Sequence, residues 1–174
     1  MIPGIGVGDV LAVRTTGLAV FMIRLGAALR GKPDLSNHIA VVHHTDSHGT
    51  TWCIEGRPGG VGWRDAGDYL ASPYTLSNRH QEKTEIQRFA VATACEAMLG
   101  TPYDWAAIVA DGAVDLHLGT AWIPGADGKV HGHTVCSALA AYAYDKAGLK
   151  RPPGAQRTDQ PADWDGFILE NGFE

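Results

Sequence analysis

The sequence predicts an α+β fold: a single domain in which an antiparallel sheet packs against helices. Strand-length apolar runs occupy the chain up to about Ser77, and helical periods govern it from Thr84 onward. No linker-like stretch divides the 174 residues, and 45 % of them are hydrophobic, enough to fill one core.

Asp9–Val13, after a Gly-rich start, reads as a short buried strand. Leu18, Phe21, Met22, Leu25 and Leu29 fall at helical spacing and predict an amphipathic helix over Gly17–Arg30, broken by Lys32-Pro33-Asp34. His38–Val42 is a second strand and Thr50–Glu55 a third, with the turn-rich His43–Gly49 joining them as a hairpin. Pro58-Gly-Gly60 closes that unit, and Gly62–Ser77 adds one or two irregular strands. Thr84 then caps a helix whose apolar face is Ile86, Phe89, Ala90, Ala94, Ala97 and Met98, stopped by Gly100. A further helix runs from Tyr103 to about Ala113, an exposed Gly-rich loop from Leu118 to Gly132, and a last strong helix from Val135 to Ala147, ended by Gly148. The Pro-rich tail is irregular until Trp164–Phe167.

Composition narrows the function. Asp and Glu exceed Lys and Arg by 19 to 14, a net charge of −5, which argues against nucleic acid as a partner. Leu18–Ile23 is too short and too closely flanked by arginines for an export signal, and no window has the roughly 18 apolar residues of a membrane span. The expectation is a soluble protein, cytoplasmic or released by a route without a signal peptide. Three cysteines without a C-x-x-C pair do not make a disulfide scaffold, so at least one thiol stays unpaired in the monomer.

Each thiol has its own setting. Cys95 lies within an Ala-rich helix, where an inert buried thiol is the default, and Cys53 alternates along a strand as filler. Cys136 opens a helix, where the macrodipole and unpaired N–H groups favour a thiolate and can receive an oxyanion. Position alone leaves nucleophile and plain packing both open. A nucleophile needs a base and the base an orienting partner. His38, a polar ring starting an apolar strand, and Glu55, one strand later, are the candidates, against readings as a structural histidine and an exposed strand-end glutamate. A metal reading competes: His131, His133 and Cys136, with His43, His44 or His48 as a fourth ligand. That spacing matches no standard zinc module, so neither metal nor cofactor is expected. His80, His117 and the His43-His44 pair read as solvent-facing.

Taken together, these motifs resemble a known family. Gly8-Asp9-Val-Leu followed by Asn37-His38-Ile-Ala-Val-Val is similar to the Gly-Asp and histidine segments of NlpC-type cell-wall peptidases. Leu99-Gly-Thr-Pro-Tyr-Asp-Trp105 followed by Val135-Cys-Ser-Ala-Leu139 resembles their tyrosine and cysteine segments. Here the histidine precedes the cysteine, the order of the circularly permuted YiiX-like papain-fold hydrolases, which lecithin:retinol acyltransferase-like proteins share. The Arg14–Arg30 helix and the closing Gln160-Pro-Ala-Asp163 fit the same pattern, and the resemblance spans roughly residues 8 to 165.

The resemblance implies a papain-like fold with Cys136 as nucleophile, His38 as base, Glu55 as the residue orienting His38 and Tyr103 near the oxyanion. It departs from the family in Cys-Ser-Ala-Leu and in an insertion of about thirty residues between Tyr103 and Cys136, where Asp111 and Asp115 read as helix-end carboxylates or specificity residues. The expected activity is thiol-dependent cleavage of an amide in a peptide or peptidoglycan stem, in a bacterial or phage protein. The alternatives are a lipid ester or thioester hydrolase or acyltransferase of the same fold, and a non-catalytic cell-wall or lipid-binding module or virion component.

Overall fold

The structure, a computed structural model, describes residues 4–16, 35–105, 134–152 and 161–172. The expected helix over Gly17–Arg30, most of that over 103–113, the 118–132 loop, Asp111, Asp115, His117, His131 and His133 lie outside the described residues.

The fold is α+β, a five-stranded antiparallel sheet packed against helices. In chain order the elements are β1 (Val10–Val13), β2 (His38–Thr45), β3 (Thr51–Arg57), β4 (Gly60–Asp65), α1 (Gly67–Ala71), β5 (Leu76–Ser77), α2 (Glu85–Glu96), α3 (Cys136–Lys146) and α4 (Pro161–Glu170). The sheet order is β4-β3-β2-β1-β5, with antiparallel pairing throughout.

The central strands are buried on both sides, and alternation sorts their residues between two faces. Val10, Ala12, Ile39, Val41 and Ile54 face the main core, where they meet Val91 and Cys95 of α2, Leu139 and Tyr144 of α3, and Trp164 and Ile168 of α4. Each large side chain fully buried there contributes about 1.5–3 kcal/mol. Leu11, Val13, Ala40, Val42 and Cys53 face the other way, under Ala66, Tyr69 and Leu70. By the same alternation His38, Glu55, Arg57 and Arg64 lie on this second face, because Ala40 pairs with Glu55 and Cys53 with Arg64.

Several expectations are corrected. The residues after Gly60 form one regular strand, a short helix and a two-residue edge strand rather than irregular strands alone. The tail turns helical at Pro161. Thr84 does cap α2, in a reciprocal box with Gln87, but the buried face is Val91, Ala92, Ala94 and Cys95. Ile86 and Phe89 are 83 % and 76 % exposed. An Ala-rich helix has two faces apolar enough to pack, and tertiary contact with β2 and α3 selects between them. His43 and His44 are half-buried at a bulge in β2, edge-on to Trp63, and His43 Nε2 sits 3.3 Å from Glu96.

Two anchors fix the start of β2. The Ser36 N–H donates to Asp165 of α4 at 2.8 Å, and the Asn37 side chain exchanges hydrogen bonds with the backbone of Thr15 at 2.8 and 3.1 Å. His38 follows directly and inherits that fixed position.

Candidate active site

Cys136 is the first residue of α3. The N-cap, Val135, is extended (φ −105°, ψ 167°) and makes no side-chain capping hydrogen bond. The helix lies on the main-core face, yet the sulfur meets His38 from the opposite face. The meeting place is where β2–β3 pairing stops, beyond Ala40–Glu55. Gly56, the next residue of β3, has no side chain to fill the space: a Cβ there would lie 3.1 Å from Cys136 N and 3.2 Å from Val135 C. The helix start seats on this bare backbone, and the Ile39 and Ser137 N–H groups both reach the sulfur.

His38 stands between sulfur and carboxylate. Its Nε2 lies 2.8 Å from Glu55 Oε2, which leaves Nδ1 for Cys136. The same Glu55 oxygen accepts a hydrogen bond from the Tyr69 hydroxyl at 3.1 Å. The imidazole is only 12 % exposed and the carboxylate 4 %.

The protonation states follow from these contacts. Burial opposes ionisation of all three groups. For Cys136 it is outweighed by the charge and hydrogen bond of His38 and then by the two backbone N–H groups, so the thiol is held below its ordinary value. Burial would likewise lower His38, but the flanking Cys136 and Glu55 overrule it and raise the ring to about 10. Glu55 is buried too, yet the hydrogen bond and charge of His38, then Tyr69 and Arg57, hold its carboxyl below the usual range. The favoured state is therefore thiolate, imidazolium and carboxylate in a row. The other thiols behave oppositely: burial alone pushes Cys95 up to about 12, and burial plus the Glu55 charge raises Cys53.

Tyr103 comes close by a local backbone device. Asp104 N–H donates to Thr134 O and Thr134 N–H to Pro102 O, each at 3.1 Å, which ties the Pro-Tyr-Asp segment beside the start of α3. Tyr103 packs on Val135 and Ala138, with Trp105 edge-on at 5.2 Å. Burial, and then the charge of Cys136, raises its phenol above the ordinary value, so the hydroxyl keeps its proton and can donate.

The site opens on a cleft of about 640 Å³ on the second face of the sheet. Asn37, His38, Glu55 and Gly56 border it at the reacting end; Arg57, Arg64, Tyr69 and Tyr103 continue the wall. None of the described lining residues is Ala, Val, Leu, Ile, Met or Phe. Among the described residues no group of three His, Cys, Asp or Glu is arranged to hold a metal ion. The four residues singled out from the sequence thus converge at one place.

Four contributors escaped the sequence reading. Gly56 had a legible signal, since an isolated Gly in a strand marks close backbone approach. Tyr69, Asn37 and Arg57 had none, because their roles depend on register and on contacts between distant segments.

No family model matches the chain, and no curated protein matches it significantly. What the site can do therefore rests on its own chemistry. No helix among the described residues is long and apolar enough to cross a membrane.

Proposed function

We propose that the protein is a cysteine hydrolase that cleaves an amide bond by acyl transfer, on a permuted papain-like fold. The observation that carries this reading is the unbroken row Cys136–His38–Glu55, with the thiol at a helix start and the row open to a cleft. Support for the fold comes from a histidine-bearing strand that precedes a cysteine-bearing helix and packs against it.

In this mechanism the Cys136 thiolate attacks the amide carbonyl carbon, and the carbonyl oxygen becomes an oxyanion facing the first-turn N–H of Cys136 and the Tyr103 hydroxyl. The imidazolium of His38 gives its proton to the departing amine as the C–N bond breaks, leaving a thioester on Cys136. Neutral His38 then takes a proton from water as the hydroxyl attacks the thioester. The acid leaves, and the thiolate and imidazolium are restored. Glu55 fixes the ring so that one nitrogen always faces the sulfur and stabilises its charged form. A lining of arginine, hydroxyl and aromatic side chains, with no Val, Leu, Ile or Met among the described residues, favours a peptide over a lipid acyl chain, which needs an aliphatic channel.

The test is cleavage of a defined peptide mixture that includes peptidoglycan stem peptides, read by mass spectrometry as products heavier in sum by one water. Cleavage should vanish in Cys136→Ala and His38→Ala. Undiminished products from Cys136→Ala would refute the mechanism.

A further inference from the structure

One group at the site acts on Glu55 through its charge alone and has no ionic partner among the described residues. Arg57 follows Gly56, the residue against which the Cys136 backbone is seated, and lies on the same sheet face as His38 and Glu55. Its guanidinium runs across Gly62 and donates to the Trp63 carbonyl at 3.3 Å, a neutral partner; among the described residues no carboxylate lies within ion-pair distance of it. Arg64, on the neighbouring strand and the same face, stacks over the Tyr69 ring at 5.7 Å. Its carboxylate partner, Asp68, is 3.9 Å away, the looser end of ion-pair range, and that aspartate is almost fully exposed.

Both arginines line the cleft. Its other charged groups are Arg14, Asp68 and the ionised row, in which Glu55 is already engaged by His38 and Tyr69. In a chain of net charge −5, this wall therefore concentrates positive charge beside the nucleophile. Guanidinium groups match carboxylates in geometry as well as charge, through paired N–H donors.

We propose that Arg57 and Arg64 form an anion-recognising subsite next to Cys136, so that the preferred substrate is an acidic peptide with a carboxylate within one side chain's reach of the scissile amide. The proposal rests on Cys136 being the nucleophile. Within the subsite Arg57 carries the larger share, because Arg64 must first release Asp68.

Two thiol reagents of equal reactivity test it without a known substrate: bromoacetyl-glutamate amide and bromoacetyl-glutamine amide. Their second-order rates at Cys136 are read by mass spectrometry, and the glutamate-to-glutamine ratio is taken within each variant, so that any change in intrinsic reactivity cancels. The wild-type ratio should be roughly two to five at low ionic strength and fall with added salt, the size expected of a partly exposed ion pair. It should drop most of the way to one in Arg57→Gln, by a smaller factor in Arg64→Gln, and return toward the wild-type ratio in Arg57→Lys. A ratio that stays the same in Arg57→Gln and in the double variant, with Cys136 still alkylated ahead of Cys53 and Cys95, would overturn the subsite and leave the nucleophile intact. Failure of both reagents to select Cys136 would overturn the catalytic reading and the subsite with it.

Discussion

Two buried charge clusters grip the same sheet, and the second borders a cleft. At the first, Asp9 receives Lys83 at 2.8 Å and Arg88 at 3.1 Å on one oxygen and the Gly6 N–H at 2.8 Å on the other. Lys83 also donates to the Asn78 and Gln81 carbonyls, and Arg88 to Val7. The side chains of Asp9 and Lys83 have no exposure at all. At the second, Cys136, His38 and Glu55 are nearly as buried, but the row ends on a sulfur and borders open space. Burial and ionisation are common to both. What separates them is their surroundings: Asp9 and Lys83 are engaged by protein groups on every side, whereas the His38–Glu55 end of the second row borders a cleft where a substrate fits.

The sharpest way to break this contrast is to remove the acid from the first cluster. Asp9→Ala should lower the unfolding free energy by about 3–5 kcal/mol, because it leaves the buried Lys83 and the half-buried Arg88 without their counter-charge. Urea titration checks the loss. The alkylation rate of Cys136 in the folded fraction should not change; if that rate collapses with stability preserved, Asp9 belongs to the site and the contrast is wrong.

Gly56→Ala comes next. Its Cβ must displace the Cys136 or Val135 backbone, both within 3.2 Å, and those atoms are held by α3. Misplacing the nucleophile should slow alkylation and turnover by about tenfold, with a smaller change in melting temperature. An unchanged rate would mean that the helix start has slack.

The smallest effect belongs to Tyr69→Phe, which removes one hydrogen bond from Glu55. Turnover should fall about two- to tenfold, in line with roughly 0.5–1.5 kcal/mol for such a bond. The Glu55 carboxyl should rise toward its usual range, and the acid limb of the rate profile should move to higher pH. A merely structural Tyr69 would change stability and leave that limb in place.

The legible and illegible parts of the sequence divide along physical lines. β1 to β3 and the start of α2 were readable because apolar runs, turn residues and a Thr84 cap are local signals. Cys136 at a helix start and His38 at a strand start stood out for the same reason, each being a residue type that its position did not call for. The packed face of α2 was misread at Ile86 and Phe89, since composition cannot tell which of two apolar faces meets the sheet. Asp9 could be noticed but not sorted, because Lys83 and Arg88 lie more than seventy residues away. Arg57 joins the site through strand register, which pairs Ala40 with Glu55 and places Arg57 one step beyond Gly56, and Tyr69 joins it through the packing of α1 on that sheet face. Such placement follows from tertiary contact and leaves no mark on any single segment.

The central claim is that one thiol of three is ionised by a histidine partner. Alkylation of all three cysteines by iodoacetamide, followed by peptide mass spectrometry from pH 4 to pH 10.5, tests it directly. The Cys136 thiolate forms as pH rises through a value depressed by His38, so its rate should climb below the ordinary thiol value of about 8.5. The rate should then hold level until His38 loses its proton near 10. Cys53 and Cys95 should stay unreactive in the native protein across that range. A Cys136 profile with a single midpoint at or above 8.5, or a rate no faster than that of Cys53 and Cys95, would contradict the account.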